Sequence, residues 1–315
     1  MTVTETTFDP HLVGLDAADW LEALEDVADE FGYFEPLGRG LSALFIDRGP
    51  QLIVTFETRS AIPRLSPRSE PLGFHFVRND GWSHLCILSD ETSAFRSPRL
   101  FRMFDNLVDE GFFDRFDDVL FMGEHLAGYA AAAFSVTSPG ARALLFRPIA
   151  TLASDYAGWD TRHQSLRTLD FTSRYGYAPA MIEAAEQVHV VFDPVDRPDA
   201  MHAALFVAPN VRLHRARYFG IELLQRFTEG RIHADIVRAA MAGRLGHADF
   251  GALLRPLRWT LPARIVRMLQ VMRARADADR TIRYCEIIRA RKKVPQVETM
   301  YNQLTAAKGQ KKPAE

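Results

Sequence analysis

The sequence predicts an α/β protein: a mostly parallel sheet with helices on both faces, followed by a small all-α domain. Short apolar runs alternate with helical patterns up to about residue 217. The central runs are apolar throughout, which is typical of strands buried on both faces of a parallel sheet. After residue 217 the pattern is helical, with breaks at Gly230, 243–246 and Pro262. We therefore expect domains at 1–217 and 218–305, and a disordered polar tail at 306–315.

The first elements are predicted from local periodicity. Residues 15–32 carry apolar side chains at helical spacing, and Gly32 is a candidate C-cap. Two β-rich runs, 42–49 and 50–58, are separated only by Asp-Arg-Gly, which favours a hairpin. The segment 60–73 contains three prolines and is expected to be an irregular loop.

The later elements follow the same logic. An amphipathic helix is expected at 100–113, with four apolar residues on one face: Leu100, Phe104, Leu107 and Val108. Helices are also expected after residue 125 and around 199–206. Short apolar runs predict strands at 82–90, 118–122, 141–148, 186–194 and 209–216.

The composition is that of an ordinary globular protein. Among the 315 residues, 47% are hydrophobic and 25% are charged, and the formal net charge is -2. This balance does not favour a nucleic acid or a membrane surface as partner. The N-terminus lacks the pattern of a signal peptide, and the two cysteines, Cys86 and Cys285, have no partner spacing. We expect a cytoplasmic protein.

Sequence motifs for cofactors and metals are missing. There is no G-x-x-x-x-G-K-[ST] loop and no G-x-G-x-x-G after a strand, so no nucleotide cofactor is expected. The histidines form no HExxH motif and no cluster at metal-ligand spacing. His84 and Cys86 share one apolar strand and are interpreted as core residues. The sequence therefore predicts no cofactor and no metal site.

The stretch MGEHLAGYAA, residues 122–131, has the form of a strand, a tight turn and a helix. Gly123 precedes the tip of the turn by two residues, whereas Ala127 and Gly128 follow it by two and three. Small residues at these positions let a strand and a helix approach closely around a strained turn, as in G-x-S-x-G motifs. His125 occupies the tip, where that motif has serine.

This turn resembles the nucleophile elbow of the α/β-hydrolase superfamily, and the resemblance extends over residues 40–220. The segments FGYFEPLG, DEGFF, GYAAAAFSVTSPGA, RYGYAPAMIEAAE and DAMHAALF also resemble a group of poorly characterised bacterial hydrolase-like proteins. Some of that group carry a phosphoadenosine phosphosulfate reductase label. The chain lacks the E-C-G-L-H motif of that reductase, because its late cysteine, Cys285, lies in RYCEIIR.

The resemblance implies an acid after a late strand and a histidine after the last strand. Asp193 follows VHVVF directly and is the first candidate acid, ahead of Asp196 and Asp199. Ile221 stands after Gly220, where a histidine would suit a hydrolase. His202 and His214 are interpreted as structural. The serine and the expected histidine are thus both replaced, which favours a pseudoenzyme.

The sequence leaves three functions open. The first is a non-catalytic or chemically altered protein that binds a small anionic ligand, or a protein partner. Its site would be the helix N-terminus at Leu126, beside His125 and Arg147. The second is an ester or thioester hydrolase in which His125 and Asp193 act in unusual roles. The third is an interaction module formed by the arginine-rich C-terminal helices, which suit an acidic protein surface better than nucleic acid.

Overall fold

In a computed structural model, the described residues are 7–38, 40–90, 94–275 and 277–310. Within them, one sheet has the strand order β1-β2-β4-β3-β5-β6-β7-β8. The strands are β1 Gly32–Gly38, β2 Leu41–Ile46, β3 Gln51–Thr58, β4 Ser83–Ser89, β5 Asp118–Glu124, β6 Arg142–Phe146, β7 Gln187–Phe192 and β8 Val211–Arg215.

Most neighbouring strands of this sheet are parallel. Strand β3 pairs in parallel with β4 and β5, and β5 to β8 continue in the same direction. Only β2 runs antiparallel to its partners, β1 and β4. The prediction of a mostly parallel sheet is therefore confirmed. Because parallel strands end at the same edge of a sheet, the segments after β3, β5, β6 and β7 converge there.

Helices cover both faces of the sheet. They are α1 Ala17–Phe31, α2 Ile62–Leu65, α3 Phe74–Asp80, α4 Pro98–Asp109, α5 Leu126–Phe134, α6 Ser154–Ala157, α7 Ala178–Met181, α8 Arg197–Ala203, α9 Leu223–Glu229, α10 His233–Met241, α11 His247–Thr260, α12 Pro262–Ala274, α13 Ala278–Arg289 and α14 Pro295–Gln310. Short 3₁₀ turns lie at Arg59–Ala61, Phe113–Arg115, Ser135–Thr137, Gln164–Thr168 and Gly220–Glu222.

Alternate residues of each strand enter different cores. Val54 of β3 packs into the core formed with α4 and α5, whereas its neighbour Ile53 packs into the core formed with α9, α10 and α11. Leu145 and Leu144 of β6 divide in the same way. This alternation follows from the two-residue period of a strand. Since both faces are buried, the strands must be apolar throughout, as predicted.

The helices after residue 217 divide into two groups. Helices α9 to α11 share a core with β5 and β6, whereas α12 to α14 have a separate core that includes Leu269, Cys285 and Val297. The boundary at residue 217 stays a prediction, and the hydrophobic contacts divide the chain near Pro262. The tail prediction was wrong for residues 306–310, which belong to α14; residues 311–315 lie outside the described part.

The predicted hairpin between 42–49 and 50–58 was wrong. Strand β4 lies between β2 and β3, so the two runs are not paired. The intervening turn is instead held by the Ser83 hydroxyl, which accepts the backbone N–H groups of Arg48 at 2.9 Å and Gly49 at 3.1 Å. A local turn signal cannot show that a distant strand inserts between its two flanks.

Two further local predictions need correction. Val108 was placed on the buried face of α4, but it is 47% exposed, whereas Leu100, Phe104 and Leu107 are buried. The proline-rich segment 60–73 is not wholly irregular, because it contains α2. Helix α3 was not predicted. Within the described residues, no helix combines the length and apolarity needed to cross a bilayer.

Two buried histidines join the last strands of the sheet. Nδ1 of His189 lies 3.1 Å from Nε2 of His214, and both side chains are almost fully buried. Burial is the main cause that lowers the pKa of His189 to about 4 and that of His214 to about 3. Nearby cationic groups, including Arg212, lower both pKa values further. Both rings are therefore neutral at neutral pH, as in a structural role.

We expect the free energy of unfolding to fall as the pH decreases from about 6.5 towards about 4. In this interval the unfolded chain protonates these histidines, with an ordinary pKa of about 6.5, whereas the folded chain does not. Urea denaturation across this pH range measures the loss. The double variant His189→Asn, His214→Gln should lose less stability over the same interval. An equal loss in both proteins would contradict the assignment.

Candidate functional site

The turn between β5 and α5, called the elbow and comprising residues 122–128, has the strained backbone that its sequence predicts. His125 at its tip has φ 60° and ψ -113°. The backbone N–H of His125 donates to Phe146 O at 2.9 Å, and its carbonyl accepts the N–H of Ile149 at 3.1 Å. Hydrogen bonds to the end of β6 and the segment that follows thus hold a conformation that is rare for a residue with a side chain.

Two glycines make room for this turn. A Cβ atom on Gly123 would lie 2.3 Å from the carbonyl oxygen of Ala127. At Gly128 it would lie 3.1 Å from the Gly123 carbonyl oxygen and 3.2 Å from Cα of Pro148. Strand β5 therefore approaches the first turn of α5 more closely than a side chain on Gly123 would permit. The spacing of small residues in the sequence has a direct steric cause.

The His125 imidazole pairs with a second histidine. Its Nε2 lies 2.7 Å from Nε2 of His163, a residue that the sequence analysis did not single out. Burial, followed by the Arg147 and Arg162 guanidinium groups, lowers the pKa of His125 well below its ordinary value. Burial, followed by Arg162, also lowers the pKa of His163. Both rings are neutral near pH 7, so one Nε2–H donates to the lone pair of the other.

Asp193 does not reach a histidine. Its buried carboxylate accepts the backbone N–H groups of Val195 at 2.9 Å and Gly220 at 2.8 Å. Ile221, which follows Gly220, is 62% exposed. Within the described residues, no hydrogen bond links Asp193 to a histidine. The carboxylate holds the segment after β8 in place and has no imidazole to orient.

The two histidines near these strands have other partners. His214 contacts His189, as described above, and His202 Nε2 lies 2.9 Å from Asp160 Oδ2. The backbone N–H of Ala150 donates to His202 Nδ1 at 3.2 Å, so Nε2 carries the proton and donates to Asp160. These contacts agree with structural roles for both histidines.

Arg147 is paired with carboxylates. Its Nε donates to Asp199 Oδ2 at 2.6 Å, and one terminal nitrogen lies 3.6 Å from Glu124 Oε1 and also donates to the Ile221 carbonyl. Arg162 bonds the other oxygen of Asp199 at 2.6 Å. All of these groups are largely or fully buried, except the Ile221 side chain. This network joins the end of β6 to α8, to the segment at Arg162 and to the 3₁₀ turn that precedes α9.

A cavity of about 490 Å³ opens beside the elbow. Its cationic side chains are Arg64 and Arg147, and its acidic side chain is Glu124, whose pKa is raised chiefly by burial and lowered in part by Arg147. The lining residues are Thr58, Ser60, Ala61, Arg64, Glu124, His125, Leu126, Arg147, His163 and Ile221. Arginine charge therefore exceeds acidic charge around this cavity, which we call the elbow cavity.

The structure brings together some of the predicted site residues but not all. His125, Leu126 and Arg147 line the elbow cavity, and Gly123, Ala127 and Gly128 form the adjoining turn. Asp193 lies behind the segment after β8 and does not line it. The sequence analysis missed Glu124 and His163. The polar run WDTRH, residues 159–163, was the signal that could have revealed the second one.

Comparisons with known proteins find structural similarity at low sequence identity. No protein-family model and no curated protein matches the sequence. Similar solved structures include an esterase of Pyrobaculum calidifontis (14% identity, TM-score 0.42, 74% of this chain and 95% of that chain covered). Carboxyl esterase 2 of the fungus Tuber melanosporum is 13% identical, with TM-score 0.41, covering 64% of this chain and 83% of that one. An acetyl ester-xyloside bifunctional hydrolase of Caldicellulosiruptor lactoaceticus is 12% identical, with TM-score 0.42, covering 69% and 98%.

The predicted α/β fold class is confirmed by the structure of the chain. The sheet is mostly parallel with helices on both faces, and a strained strand-to-helix turn lies at the carboxyl edge of β5. These features are visible in the structure of the chain itself. Identities of 12–14% do not transfer an activity or a substrate.

We expect Gly123→Ala to destabilise the protein by about 2 kcal/mol or more, because the new methyl group must displace the first turn of α5. Thermal and urea denaturation measure the change. Gly251→Ala in α11 is the matched control, since a Cβ there meets no atom within 4 Å and alanine favours helix. Equal stabilities of the two variants would refute the steric role of Gly123.

We expect Asp199→Asn to lower the free energy of unfolding by about 2–3 kcal/mol, because it removes the buried carboxylate that Arg147 and Arg162 share, while Arg162 keeps Asp160 and Arg147 keeps Glu124 as acidic partners. Urea denaturation measures the loss. Asp279→Asn is the control, since Asp279 forms an exposed pair with Lys308 and its replacement should have no measurable effect. A comparably small effect at Asp199 would show that the network is not important for stability.

Proposed function

We propose that this chain is a pseudoenzyme that binds a small anionic ligand in the elbow cavity and does not hydrolyse it. One observation carries the proposal. The elbow and its cavity are retained, whereas the residue at the tip is His125 and the carboxylate of Asp193 bonds backbone N–H groups in place of a histidine. A strained strand-to-helix turn with a cavity beside it is thus present without the arrangement that activates a nucleophile.

The chemical argument against hydrolysis concerns the removal of a proton from the nucleophile. A serine or equivalent nucleophile is activated when a base takes its proton and an acid orients that base. Here Ile221 follows Gly220, the residue whose N–H donates to Asp193, and His202 Nε2 donates to Asp160. Even a serine restored at position 125 would lack a base held by Asp193. We therefore infer that replacement of His125 alone does not recover hydrolysis.

The argument for an anion concerns donors and charge. The first N–H groups of α5 have no partner within the helix and favour negative charge. Arg64, Arg147, His125 and His163 line the cavity, and one of the two neutral imidazoles keeps an Nδ1–H that is not used between the rings. Arg147 is already paired with Asp199, so Arg64 supplies the more available positive charge. A carboxylate or phosphate of modest size fits this set of donors.

The alternative is an ester or thioester hydrolase that uses His125. The observation that favours it is the short contact between the two neutral imidazoles, His125 and His163. In this mechanism the Nε2 lone pair of His125 attacks the carbonyl carbon, the ester C–O or thioester C–S bond breaks, and the leaving oxygen or sulfur takes up the proton that the ring loses from Nδ1. Water then hydrolyses the acyl-imidazole. Asp193 is excluded from this hydrogen-bonded pair, so its part in the alternative would be to position the segment at Gly220.

Binding is tested by ligand-induced thermal stabilisation with inorganic phosphate, acetate and octanoate as probes. We expect at least one probe to raise the melting temperature of the wild type and to have a smaller effect on Arg64→Gln. Arg283→Gln, which removes an exposed arginine of α13, is the control and should respond like the wild type. No stabilisation by any probe, or an equal response of Arg64→Gln, would count against an anion site here.

Hydrolysis is tested in parallel with p-nitrophenyl esters of several chain lengths. We expect no turnover by the wild type, His125→Ala or His125→Ser. Turnover by the wild type that is lost in His125→Ala would establish the alternative mechanism. Turnover only in His125→Ser would show that a base survives beside position 125, where His163 is the candidate, and would overturn the inference that replacement of His125 alone does not recover hydrolysis.

A further inference from the structure

A buried polar cluster lies on the other side of β3, apart from the elbow cavity. Thr55 and Glu57 alternate along β3, and His84 and Cys86 alternate along the adjacent strand β4. The parallel register pairs Thr55 with Cys86, so the four side chains project from one face of the sheet. Glu57 is 5% exposed and the other three are fully buried. This cluster lies beneath helices α1 and α3.

Three hydrogen-bond donors converge on the Glu57 carboxylate of the cluster. Glu57 accepts the Thr55 hydroxyl at 2.7 Å and the backbone N–H of Leu72 at 2.9 and 3.1 Å, and the Cys86 thiol lies 3.7 Å away. Among the described residues, no Lys, Arg or His forms an ion pair with Glu57. Burying an ionised carboxylate among neutral donors, with no positive partner, costs free energy.

The His84 imidazole faces the Thr55 hydroxyl, which itself bonds Glu57. Its Nε2 lies 2.8 Å from the Thr55 hydroxyl oxygen. Because the single hydroxyl hydrogen of Thr55 points to Glu57, His84 Nε2 must carry the hydrogen in this contact. Nδ1 of His84 is buried and has no hydrogen-bond partner. The imidazole, thiol and carboxylate donor atoms all lie within 4.8 Å of one another.

We propose that Glu57, His84 and Cys86 bind one Zn²⁺ ion, with the Thr55 hydroxyl beside it as the fourth donor. Sulfur, nitrogen and oxygen ligands together suit zinc, whereas Ca²⁺ and Mg²⁺ require oxygen ligands alone. The two anionic ligands, a carboxylate and a thiolate, cancel the two positive charges of the ion. A site with no net charge is compatible with an apolar interior. The ion also supplies the positive partner that Glu57 lacks.

Binding requires a defined movement of protons. The thiol proton of Cys86 is released to solvent and its sulfur becomes a thiolate ligand. The Nε2 hydrogen of His84 is lost and Nδ1 takes up a proton, so the ring stays neutral and Nε2 presents its lone pair to the ion. The donor atoms must then rearrange around the ion to reach ligand distances of about 2.0–2.3 Å.

A small cavity adjoins one proposed ligand of the cluster. Its volume is about 40 Å³, and its lining includes Glu57, Leu72, Gly123 and Glu124 but not Thr55, His84 or Cys86. This volume exceeds the space needed for one water molecule. Since full burial slows exchange, the ion is best supplied while the chain folds.

The test uses the full-length chain, refolded with Co²⁺ in place of Zn²⁺. We expect one Co²⁺ per chain and a thiolate-to-cobalt charge-transfer absorption that disappears in Cys86→Ala. Cys285→Ala is the matched control, because it removes the other cysteine, in the separate core of α12 to α14, and should keep the absorption. Retention of the absorption in Cys86→Ala, or its absence in the refolded wild type, would overturn the proposal.

Two further measurements keep the test decisive if Cys86→Ala does not fold. Zinc added during refolding should raise the melting temperature of the wild type and of Cys285→Ala, and should have no such effect on His84→Gln. X-ray absorption at the zinc edge of the loaded wild type should show one sulfur ligand together with nitrogen and oxygen ligands. A shell of nitrogen and oxygen alone would exclude Cys86 and refute the site.

Discussion

The close approach of β5 to α5 is the constraint on which the candidate site depends. Gly123 has no side chain, so the carbonyl of Ala127 can pass within a distance that a methyl group would block. That contact lets the chain reverse at His125 with a positive φ and places the N-terminus of α5 at the edge of the sheet. The elbow cavity, its donors and the position of the imidazole all follow from this geometry.

Around the elbow, two arginines are paired with carboxylates and the histidines are neutral. Arg147 and Arg162 share the buried carboxylate of Asp199. Burial, followed by the charge of both arginines at His125 and of Arg162 at His163, lowers the pKa of these histidines and keeps them unprotonated. His125 and His163 can then lie in contact without repulsion. A serine hydrolase instead needs one histidine to accept a proton and an acid to stabilise the resulting charge. The network around Arg147 supplies the opposite environment, which is why we interpret the site as one for binding.

Two buried carboxyl groups flank a small cavity between the sites. Burial is the main cause that raises the pKa of Glu57, to about 7, and that of Glu124. Glu124 faces Arg147, whereas Glu57 has the neutral neighbours Thr55, His84 and Cys86. This difference in partners separates the roles that we propose. One carboxyl group belongs to a paired network at the elbow and the other is a ligand for a divalent cation.

The sequence by itself determined the fold class, most strands and the elbow, because these depend on local periodicity and on small residues at fixed spacing around His125. It could not determine strand order, so the turn at 47–49 was misread as a hairpin. Only the tertiary structure decided which side chains meet. His163 reaches His125 from a distant segment, and Glu57 meets Cys86 from 29 residues away in the chain. Such contacts depend on sheet register and on the packing of connections, and neither leaves a local pattern that a reader could recognise.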